Sequence, residues 1–240
     1  MADATETPRA GGEVRTDASG ERLDNVYAWG GDEAGLRRTQ RKYAERFAGR
    51  RRVLDVGCGR GFFLGLMREL GIGGAGIDMS EAMVEATRLA GFPVELSEGS
   101  AYLERHPGEF DGIFASHVIE HIPAQEGERF IRLAARALAP GGRLIVITPR
   151  TLVMRSIASG FWRDLTHQRP YPLDLLEALC ESAGLSVAES GPDPDTATRL
   201  GPKDWLIAML RRPFLGPVLH DFLYGPGAHF VVADRPEARG

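Results

Sequence analysis

The sequence predicts an α/β domain: a seven-stranded, mostly parallel sheet with helices on both faces and a C-terminal antiparallel strand. Two observations predict it. Short apolar segments alternate with segments of helical periodicity, and a glycine-rich turn directly follows the first apolar segment. Strands that alternate with helices are joined by crossovers, so they lie parallel. The predicted strands are residues 52–56, 74–78, 93–96, 110–116, 143–148, 185–189 and 229–233.

Capping residues and glycines mark where the intervening helices begin and end. Asp32 and Ser80 are typical N-cap residues, and Gly71 is a typical residue at the end of a helix. Pro140-Gly141-Gly142 predicts a turn before the fifth strand. The predicted helices are residues 33–47, 62–70, 81–90, 125–138 and 172–183.

The composition indicates one globular domain with additional segments attached to it. The chain has 240 residues, of which 43% are hydrophobic and 26% charged, which is enough to bury one sizeable core. Residues 1–22 are poor in apolar side chains and are expected to be a disordered tail, so the domain spans residues 23–240. Residues 191–226 are rich in Gly and Pro and are expected to form an insertion.

Charge and hydropathy exclude several classes of partner. The net charge of −4 disfavours nucleic acid, because proteins that bind it collect phosphates with a basic face. No apolar run reaches the roughly 18 residues that cross a bilayer, and the N-terminus lacks the pattern of a signal peptide. Cys58 and Cys180 match neither a disulfide framework nor a zinc-ribbon spacing. We therefore expect a soluble, cytoplasmic protein that acts on a small molecule.

The turn after the first strand predicts a ligand site. Gly57, Gly59 and Gly61 lack Cβ atoms, so a ligand can approach the backbone N–H groups at the carboxyl edge of the sheet. Their spacing differs from that of the dinucleotide fingerprint. Asp78 ends the second strand, where an acidic side chain can accept hydrogen bonds from ribose hydroxyls. The alternative is a plain tight turn with Asp78 as a surface helix cap.

A second group of polar side chains follows the fourth strand. On one helical turn, His117, Glu120 and His121 share a face and can ligate a metal. The order His-x-x-Glu-His also occurs in zinc peptidases, but those need a sustained helix, and Pro123 excludes one here. The alternative is a structural turn without a metal, which leaves one histidine near the bound ligand.

The loop after the fifth strand, residues 161–171, concentrates aromatic and charged side chains. Trp162 offers a stacking plane, while Asp164 and His167 offer polar groups, which together suit a hydroxyl-rich sugar. The alternative is a helix entry in which Asp164 or Thr166 is a cap and Trp162 fills the core.

Four segments carry a resemblance to class I S-adenosylmethionine (SAM)-dependent methyltransferases, whose fold is Rossmann-like. They read VLDVGCGRG, GIDMS, FDGIFASHVIEHI and LAPGGRLIVITP. The resemblance implies that Asp55 and the three glycines surround the methionine end of SAM, and that Asp78 and Met79 flank its ribose and adenine. Gly99-Ser100-Ala101 stands where many relatives have an acidic residue that faces the adenine. The expected cofactor-binding residues are Asp55, Gly57, Gly59, Gly61, Asp78, Met79, Ser100, Ser116 and Arg41.

The chain also resembles metal-dependent O-methyltransferases, including those of ubiquinone synthesis and of small-RNA 2′-ends. These carry Glu-x-x-Glu-His after the fourth strand, and this chain has His117 at the first acidic place. His167 is the candidate for the downstream histidine of the small-RNA enzymes. The expected metal ligands are His117, Glu120, His121 and His167. The expected ion is Mg²⁺ or a similar divalent metal, although imidazole suits a borderline metal better than Mg²⁺.

A narrower resemblance suggests the acceptor. The segments WGGD, QRKY and DLTHQRPYP look like those of bacterial polysaccharide and methylmannoside O-methyltransferases. This implies methyl transfer to a saccharide hydroxyl, with His167 or His121 as the base and with Asp164 and Glu120 as orienting groups or metal ligands. Residues 191–226 are then a candidate acceptor lid.

The competing interpretations are O- or N-methylation of a small secondary metabolite and SAM binding without catalysis. The expected partner in either enzyme is a small-molecule or oligosaccharide acceptor, and the chain is expected to be a monomer or a homodimer.

Overall fold

A computed structural model describes residues 33–154, 156, 161–196, 209–210, 219–223 and 225–237. The predicted N-terminal tail, the Asp32 cap and Trp29 lie outside these residues. So does most of the insertion that was predicted as an acceptor lid.

A seven-stranded sheet forms the centre of the described fold, in the order β3-β2-β1-β4-β5-β7-β6. Only β7 is antiparallel to its neighbours β5 and β6, and the other pairs are parallel. This topology confirms the predicted fold class. The strands are β1 (Val53–Val56), β2 (Gly74–Asp78), β3 (Val94–Leu96), β4 (Phe110–Ser116), β5 (Leu138–Pro149), β6 (Ser186–Pro192) and β7 (Ala228–Asp234).

Helices cover both faces of the sheet. The α-helices that lie wholly within the described residues are α1 (Glu33–Glu45), α2 (Phe62–Glu69), α3 (Glu81–Leu89), α4 (Gly99–Arg105), α5 (Gly127–Ala137) and α6 (Leu173–Ser182). Single 3-10 turns lie at Ile119–His121, Phe161–Arg163 and Pro194–Thr196. No helix in the described part of the chain is long and apolar enough to cross a membrane.

Alternate residues of β5 divide the core into two layers. Leu144 and Val146 pack in the layer that also holds buried residues of α5 and α6, whereas Ile145 and Ile147 pack with α1 and α2. Because successive side chains of a strand point to opposite faces, one apolar strand serves both layers. Burial on both faces explains why the sequence of this strand is almost entirely apolar.

The structure differs from the predicted elements at two places. The predicted turn at 140–142 is part of β5, although the β4–β5 register shifts there, between Phe110 and Gly112. Gly141 takes a φ of +71° at this irregularity, so the glycine has the conformation of a turn without ending the strand. Helix α4 was not predicted: it has only seven residues, and its cap is Glu98, which is not a typical N-cap residue.

Candidate active site

The glycine-rich turn joins β1 to α2 at the carboxyl edge of the sheet. Gly57, Gly59 and Gly61 have φ angles of +69°, +52° and +76°, which residues with a Cβ atom rarely adopt. The N–H groups of Gly57 and Cys58 donate to the carbonyl of Ile77 at 2.9 and 3.0 Å. These bonds fix the turn to β2, and they engage the N–H groups of Gly57 and Cys58 within the protein.

The surroundings of the turn differ from one glycine to the next. A Cβ atom at Gly57 would come within 2.8 Å of the Val118 side chain, whereas one at Gly59 would meet nothing within 4 Å. The carbonyl of Gly59 accepts a hydrogen bond from the Thr87 hydroxyl at 2.6 Å. A side chain at Gly57 would therefore collide with Val118, whereas the Cβ direction of Gly59 faces open space that could admit a ligand beside the backbone.

Two acidic side chains lie next to this turn. Asp78 accepts hydrogen bonds from the backbone N–H of Gly59 at 2.9 Å and of Ser80 at 2.8 Å, one on each carboxylate oxygen. Each oxygen keeps a lone pair for a further donor, such as a ribose hydroxyl. Asp55 is buried in β1, and burial followed by the charge of Asp78 raises the pKa of Asp55 well above its ordinary value.

Three further residues that were predicted to bind the cofactor lie at or after the carboxyl ends of β2, β3 and β4, with Ser100 as the second residue of α4. Met79 comes directly after Asp78 and is 74% exposed, which is unusual for such a side chain. Ser116 ends β4 and is half-buried. Ser100 is buried, and its hydroxyl finds no hydrogen-bond partner among the described residues. An unsatisfied buried hydroxyl is costly, and a bound ligand would supply the missing partner.

Arg41 is not brought to the turn. Its guanidinium lies 3.4 Å from Glu45 and 3.5 Å from Glu69. Glu69 is the last residue of α2, whereas the glycine turn precedes the first residue of that helix. Arg41 therefore has one ion pair within α1 and one with the end of α2, and its place at the cofactor stays a prediction.

The segment after β4 holds a buried carboxylate. Glu120 is 0% exposed, and its Oε1 lies 3.0 Å from Nδ1 of His117. Thr148 of β5 donates to its Oε2 at 3.1 Å. The prediction of one helical turn through residues 117–121 was wrong at its start, because His117 has a φ of +56° and the 3-10 turn begins at Ile119.

Hydrogen bonding determines the charges of this pair. Burial, the largest single effect, lowers the pKa of His117, but the hydrogen bond to Glu120 and the charges of Glu120 and Asp193 together raise it. Burial likewise raises the pKa of Glu120, and the bond and charge of His117 outweigh it, so that this pKa is lowered. At neutral pH the site therefore holds an ionised Glu120 carboxylate.

The loop after β5 brings His167 to the same place. Nδ1 of His167 lies 2.7 Å from the carbonyl oxygen of Phe161, and a carbonyl only accepts, so Nδ1 carries the proton. The backbone N–H of Gln168 donates to the carbonyl of Glu120 at 2.7 Å, which ties the loop to the segment after β4. Trp162 is 58% exposed, so the alternative in which it fills the core is wrong.

His121 belongs to a second chain of hydrogen bonds in this loop. Its Nδ1 lies 2.8 Å from the Thr166 hydroxyl, which in turn donates to Asp164 at 2.6 Å. Burial lowers the pKa of His121, a change that Glu120 opposes and His167 reinforces. Burial raises the pKa of Asp164, but two hydrogen bonds from Thr166 outweigh it and lower the pKa. His121 is thus a neutral imidazole and Asp164 an ionised carboxylate.

Three of the four predicted metal ligands converge. Glu120, His121 and His167 each offer one ligand atom, and these atoms lie within 4.8 Å of one another. The rings of the two histidines have centroids 4.5 Å apart. His117 lies outside this group, because its Nδ1 is bound to Glu120. One carboxylate and two imidazoles form a donor set that suits a divalent metal or a proton acceptor.

Two hydroxyl groups and one histidine were missed by sequence reasoning. Thr148 and Thr166 hold Glu120 and His121, but isolated threonines carry no signal in a sequence. His229, the first residue of the predicted seventh strand, is buried opposite Thr148 in the β5–β7 pair. Because directly opposite residues point to the same face, His229 lies on the side of the sheet where Thr148 meets Glu120.

Fold and site together define a methyltransferase of class I architecture. A family model described as "Methyltransferase domain" matches residues 29–190. The chain belongs to this family, and the prediction of a methyltransferase is confirmed.

Solved structures agree on the fold. A SAM-dependent methyltransferase from Archaeoglobus fulgidus is 24% identical, with a TM-score of 0.72 over 91% of this chain and 100% of that chain. The 1,6-didemethyltoxoflavin-N1-methyltransferase of Burkholderia thailandensis, solved with S-adenosylhomocysteine, is 17% identical, with a TM-score of 0.60 over 97% of this chain and 94% of its own. At these identities the likeness shows the fold alone.

Curated relatives match a shorter stretch. The ubiquinone biosynthesis O-methyltransferase of Thiobacillus denitrificans is 37% identical over 98 residues, which is 38% of this chain and 41% of the relative. That of a Caulobacter species is 38% identical over 114 residues, which is 45% of this chain and 44% of the relative. The chain thus spans less than half the length of these relatives, and the predicted saccharide acceptor stays a prediction.

Proposed function

We propose that the chain is a SAM-dependent O-methyltransferase that acts on a hydroxyl of a saccharide or glycoside. The observation that carries this proposal is the convergence of His121 and His167 on Glu120 at the sheet edge that bears the glycine turn. Both histidines have Nδ1 engaged as a donor, so both keep a lone pair on Nε2. A group of this kind suits the removal of a proton from a hydroxyl.

The glycine turn and its neighbours would hold SAM. The open space at Gly59, the remaining lone pairs of Asp78 and the unpartnered Ser100 hydroxyl fit a ligand with ribose and amino groups. When bound, SAM supplies a sulfonium methyl group that an incoming lone pair can displace in line. The turn contributes position, and much of the rate of such a transfer comes from positioning.

His167 or His121 would act on the acceptor. A sugar hydroxyl is a weak nucleophile until its proton is removed, and a neutral imidazole at this edge can accept that proton on Nε2. Glu120 and Asp164 stay ionised and favour the imidazolium that forms. In place of a base, Glu120, His121 and His167 would hold a divalent metal, which acidifies a bound hydroxyl; the same Nε2 lone pairs would then be metal ligands. Two imidazoles and one carboxylate fit a borderline ion better than Mg²⁺.

The loop of residues 161–169 supports a sugar as the acceptor. Trp162 packs edge-on against Phe161, with ring centroids 5.0 Å apart, and keeps 58% of its surface exposed. Phe161 in turn contacts His167, at 4.4 Å between ring centroids. An exposed aromatic face next to the proposed base is suited to stacking on a pyranose ring.

A second candidate is a small secondary metabolite with a free hydroxyl. The curated relatives favour it, because they are O-methyltransferases of ubiquinone biosynthesis. A third, SAM binding without turnover, is disfavoured by the convergent group itself, since binding alone needs no such group.

Labelled SAM and a panel of acceptors separate these candidates. We expect methyl transfer to mannosides and a loss of rate when EDTA removes a bound metal. Methyl transfer to phenols, without transfer to any sugar, would contradict the proposal of a saccharide acceptor. If EDTA leaves the rate unchanged, the reaction does not require a metal, and a histidine base remains the proposed way to activate the hydroxyl.

Variants of the two histidines test the proposed base. His121→Ala and His167→Ala should each lower turnover by about 10²–10⁴-fold, the usual contribution of a general base. The affinity for S-adenosylhomocysteine, measured by calorimetry, should stay near wild type, because neither side chain belongs to the glycine turn. His106→Ala is the matched control and should keep full turnover. A variant with the wild-type rate would show that its histidine is not the base.

A further inference from the structure

The hydroxyl of Thr166 lies between two charged or basic groups of the candidate site. It is 2.6 Å from Oδ1 of Asp164 and 2.8 Å from Nδ1 of His121. The backbone N–H of the same residue also donates to Oδ1 of Asp164, at 2.8 Å. The threonine is therefore held at two points by one carboxylate oxygen.

The direction of these bonds follows from what each group can do. An ionised carboxylate only accepts, so the single proton of the Thr166 hydroxyl is directed to Asp164. The hydroxyl oxygen can then only accept from His121, and Nδ1 of His121 must be the donor. The chain of bonds runs in one direction, from His121 through Thr166 to Asp164.

We propose that Thr166 is a positioning residue that fixes His121 in its Nδ1–H tautomer and turns the Nε2 lone pair toward Glu120 and His167. A free imidazole exchanges between two tautomers, and only one of them presents a lone pair on Nε2. A hydrogen bond to the other ring nitrogen is the usual way in which proteins select the tautomer of a ligand or base histidine. Here a hydroxyl relays the effect of Asp164, which does not touch His121 itself.

The two histidines reach the same tautomer by different means. His167 uses a backbone carbonyl, that of Phe161, which no side-chain substitution removes. His121 uses a side chain, so its tautomer depends on one hydroxyl group. A substitution at Thr166 therefore removes the bond that holds Nδ1 of His121 and leaves that of His167 in place. Asp164 lies near the second histidine as well, since its Oδ2 is 3.8 Å from Nε2 of His167.

A matched pair of substitutions tests the inference. Thr166→Val replaces the hydroxyl with a methyl group of similar size, and Thr166→Ser retains the hydroxyl. Long-range ¹H–¹⁵N correlation spectra at pH 8, where a histidine side chain is neutral, report which ring nitrogen carries the proton. His121→Gln assigns the His121 signals.

We expect the wild type and Thr166→Ser to show His121 protonated on Nδ1, and Thr166→Val to show a mixture of tautomers. His167 should stay protonated on Nδ1 in all three proteins. A His121 spectrum that is the same in Thr166→Val as in wild type would overturn the inference. Unchanged circular dichroism and unchanged binding of S-adenosylhomocysteine establish that each variant is folded.

A second measurement connects the tautomer to the proposed function, on which this part of the inference rests. Titration with Co²⁺, followed by its visible absorption, should give an affinity about 10–100-fold lower in Thr166→Val, as is usual for the loss of a group that orients a ligand. Wild-type protein that binds no Co²⁺ would count against the metal in the proposed function. The tautomer spectra would still decide the role of Thr166.

Discussion

Gly57 and Gly59 stand two residues apart in one turn, yet a methyl group added to each would meet different surroundings. At Gly57 it would come within 2.8 Å of the Val118 side chain, and at Gly59 it would enter open space. Both residues have positive φ angles, so an alanine is strained at either position. What separates them is that a protein side chain blocks the Cβ direction of Gly57, whereas that of Gly59 is open.

The Gly57→Ala and Gly59→Ala variants should therefore differ in what they lose. We expect Gly57→Ala to lower the free energy of unfolding by about 2–4 kcal/mol, because strain and a steric clash add. Gly59→Ala should lower it by about 1–2 kcal/mol through strain alone, while its affinity for S-adenosylhomocysteine falls by at least tenfold. Denaturant unfolding and calorimetry measure the two effects. An unchanged affinity in Gly59→Ala would place the cofactor elsewhere.

Residue chemistry explains which parts of the site were predictable. Gly57, Gly59 and Asp78 follow their strands at characteristic spacings, so a turn and an acidic partner could be predicted from the sequence. The approach of His167 to His121 joins positions 46 apart in the chain, and only the resemblance to metal-dependent relatives suggested it. Thr166 could not be found, because its role depends on a hydrogen-bond direction that only coordinates reveal.

Helix α1 is tied to the end of β6 by a buried carboxylate. Asp193, 1% exposed, accepts a hydrogen bond from the Tyr43 hydroxyl at 2.8 Å and pairs with Lys42. Lys42 also pairs with Asp195 at 2.6 Å, and the Asp195 side chain is 51% exposed. Burial and then the hydrogen bond to Asp193 raise the pKa of Tyr43. The helix before the first strand is thus attached to residues about 150 positions later in the sequence.

Replacing the two acidic residues should separate the buried attachment from the exposed one. We expect Asp193→Ala to lower the free energy of unfolding by about 3 kcal/mol, because it leaves the Tyr43 hydroxyl and part of Lys42 without a partner. Asp195→Ala is the control and should cost less than about 1 kcal/mol, as exposed ion pairs do. Urea unfolding of both proteins measures the difference. Equal losses would show that Asp193 contributes no more than a surface charge.

The elements themselves were largely predictable, and the exceptions have physical causes. Strands buried on both faces are continuous apolar segments, so β4 and β5 stand out in the sequence. Helix α4 does not, because it has seven residues and buries only Ser100 and Leu103. At the start of this helix, the Glu98 side chain accepts hydrogen bonds from the backbone N–H groups of Ser100 and Ala101. Short helices of this kind depend on tertiary contacts more than on propensity.

The stability of the whole molecule should depend on one buried histidine. Burial lowers the pKa of His229 from 6.5 to about 4, and the charges of Arg150 and Glu120 modify this effect in opposite directions. Nε2 of His229 has no hydrogen-bond partner among the described residues. The folded protein therefore keeps this imidazole neutral across a pH range in which an unfolded chain protonates it.

The sign of the pH dependence follows from this difference. Above pH 6.5 neither state takes up the proton, and His229 adds no pH dependence. Between pH 6.5 and about 4 the unfolded chain binds a proton that the folded protein does not, so the free energy of unfolding falls by roughly 3 kcal/mol in total. His229→Asn should remove this part of the acid destabilisation, as measured by urea unfolding at several pH values. His106→Asn should keep it, and an identical pH profile for the two variants would contradict the assignment.

Strand β7 gives the molecule an order of assembly. It lies between β5 and β6, so β5 lacks its second neighbour and β6 its neighbour in the sheet until residues 228–234 have been added. During synthesis the glycine turn and the Thr148–Glu120 bond can both form early, because their residues precede this strand. The burial of Thr148 opposite His229 is completed only when β7 is added. The C-terminal residues of the domain therefore complete the sheet beside the segment that bears Glu120.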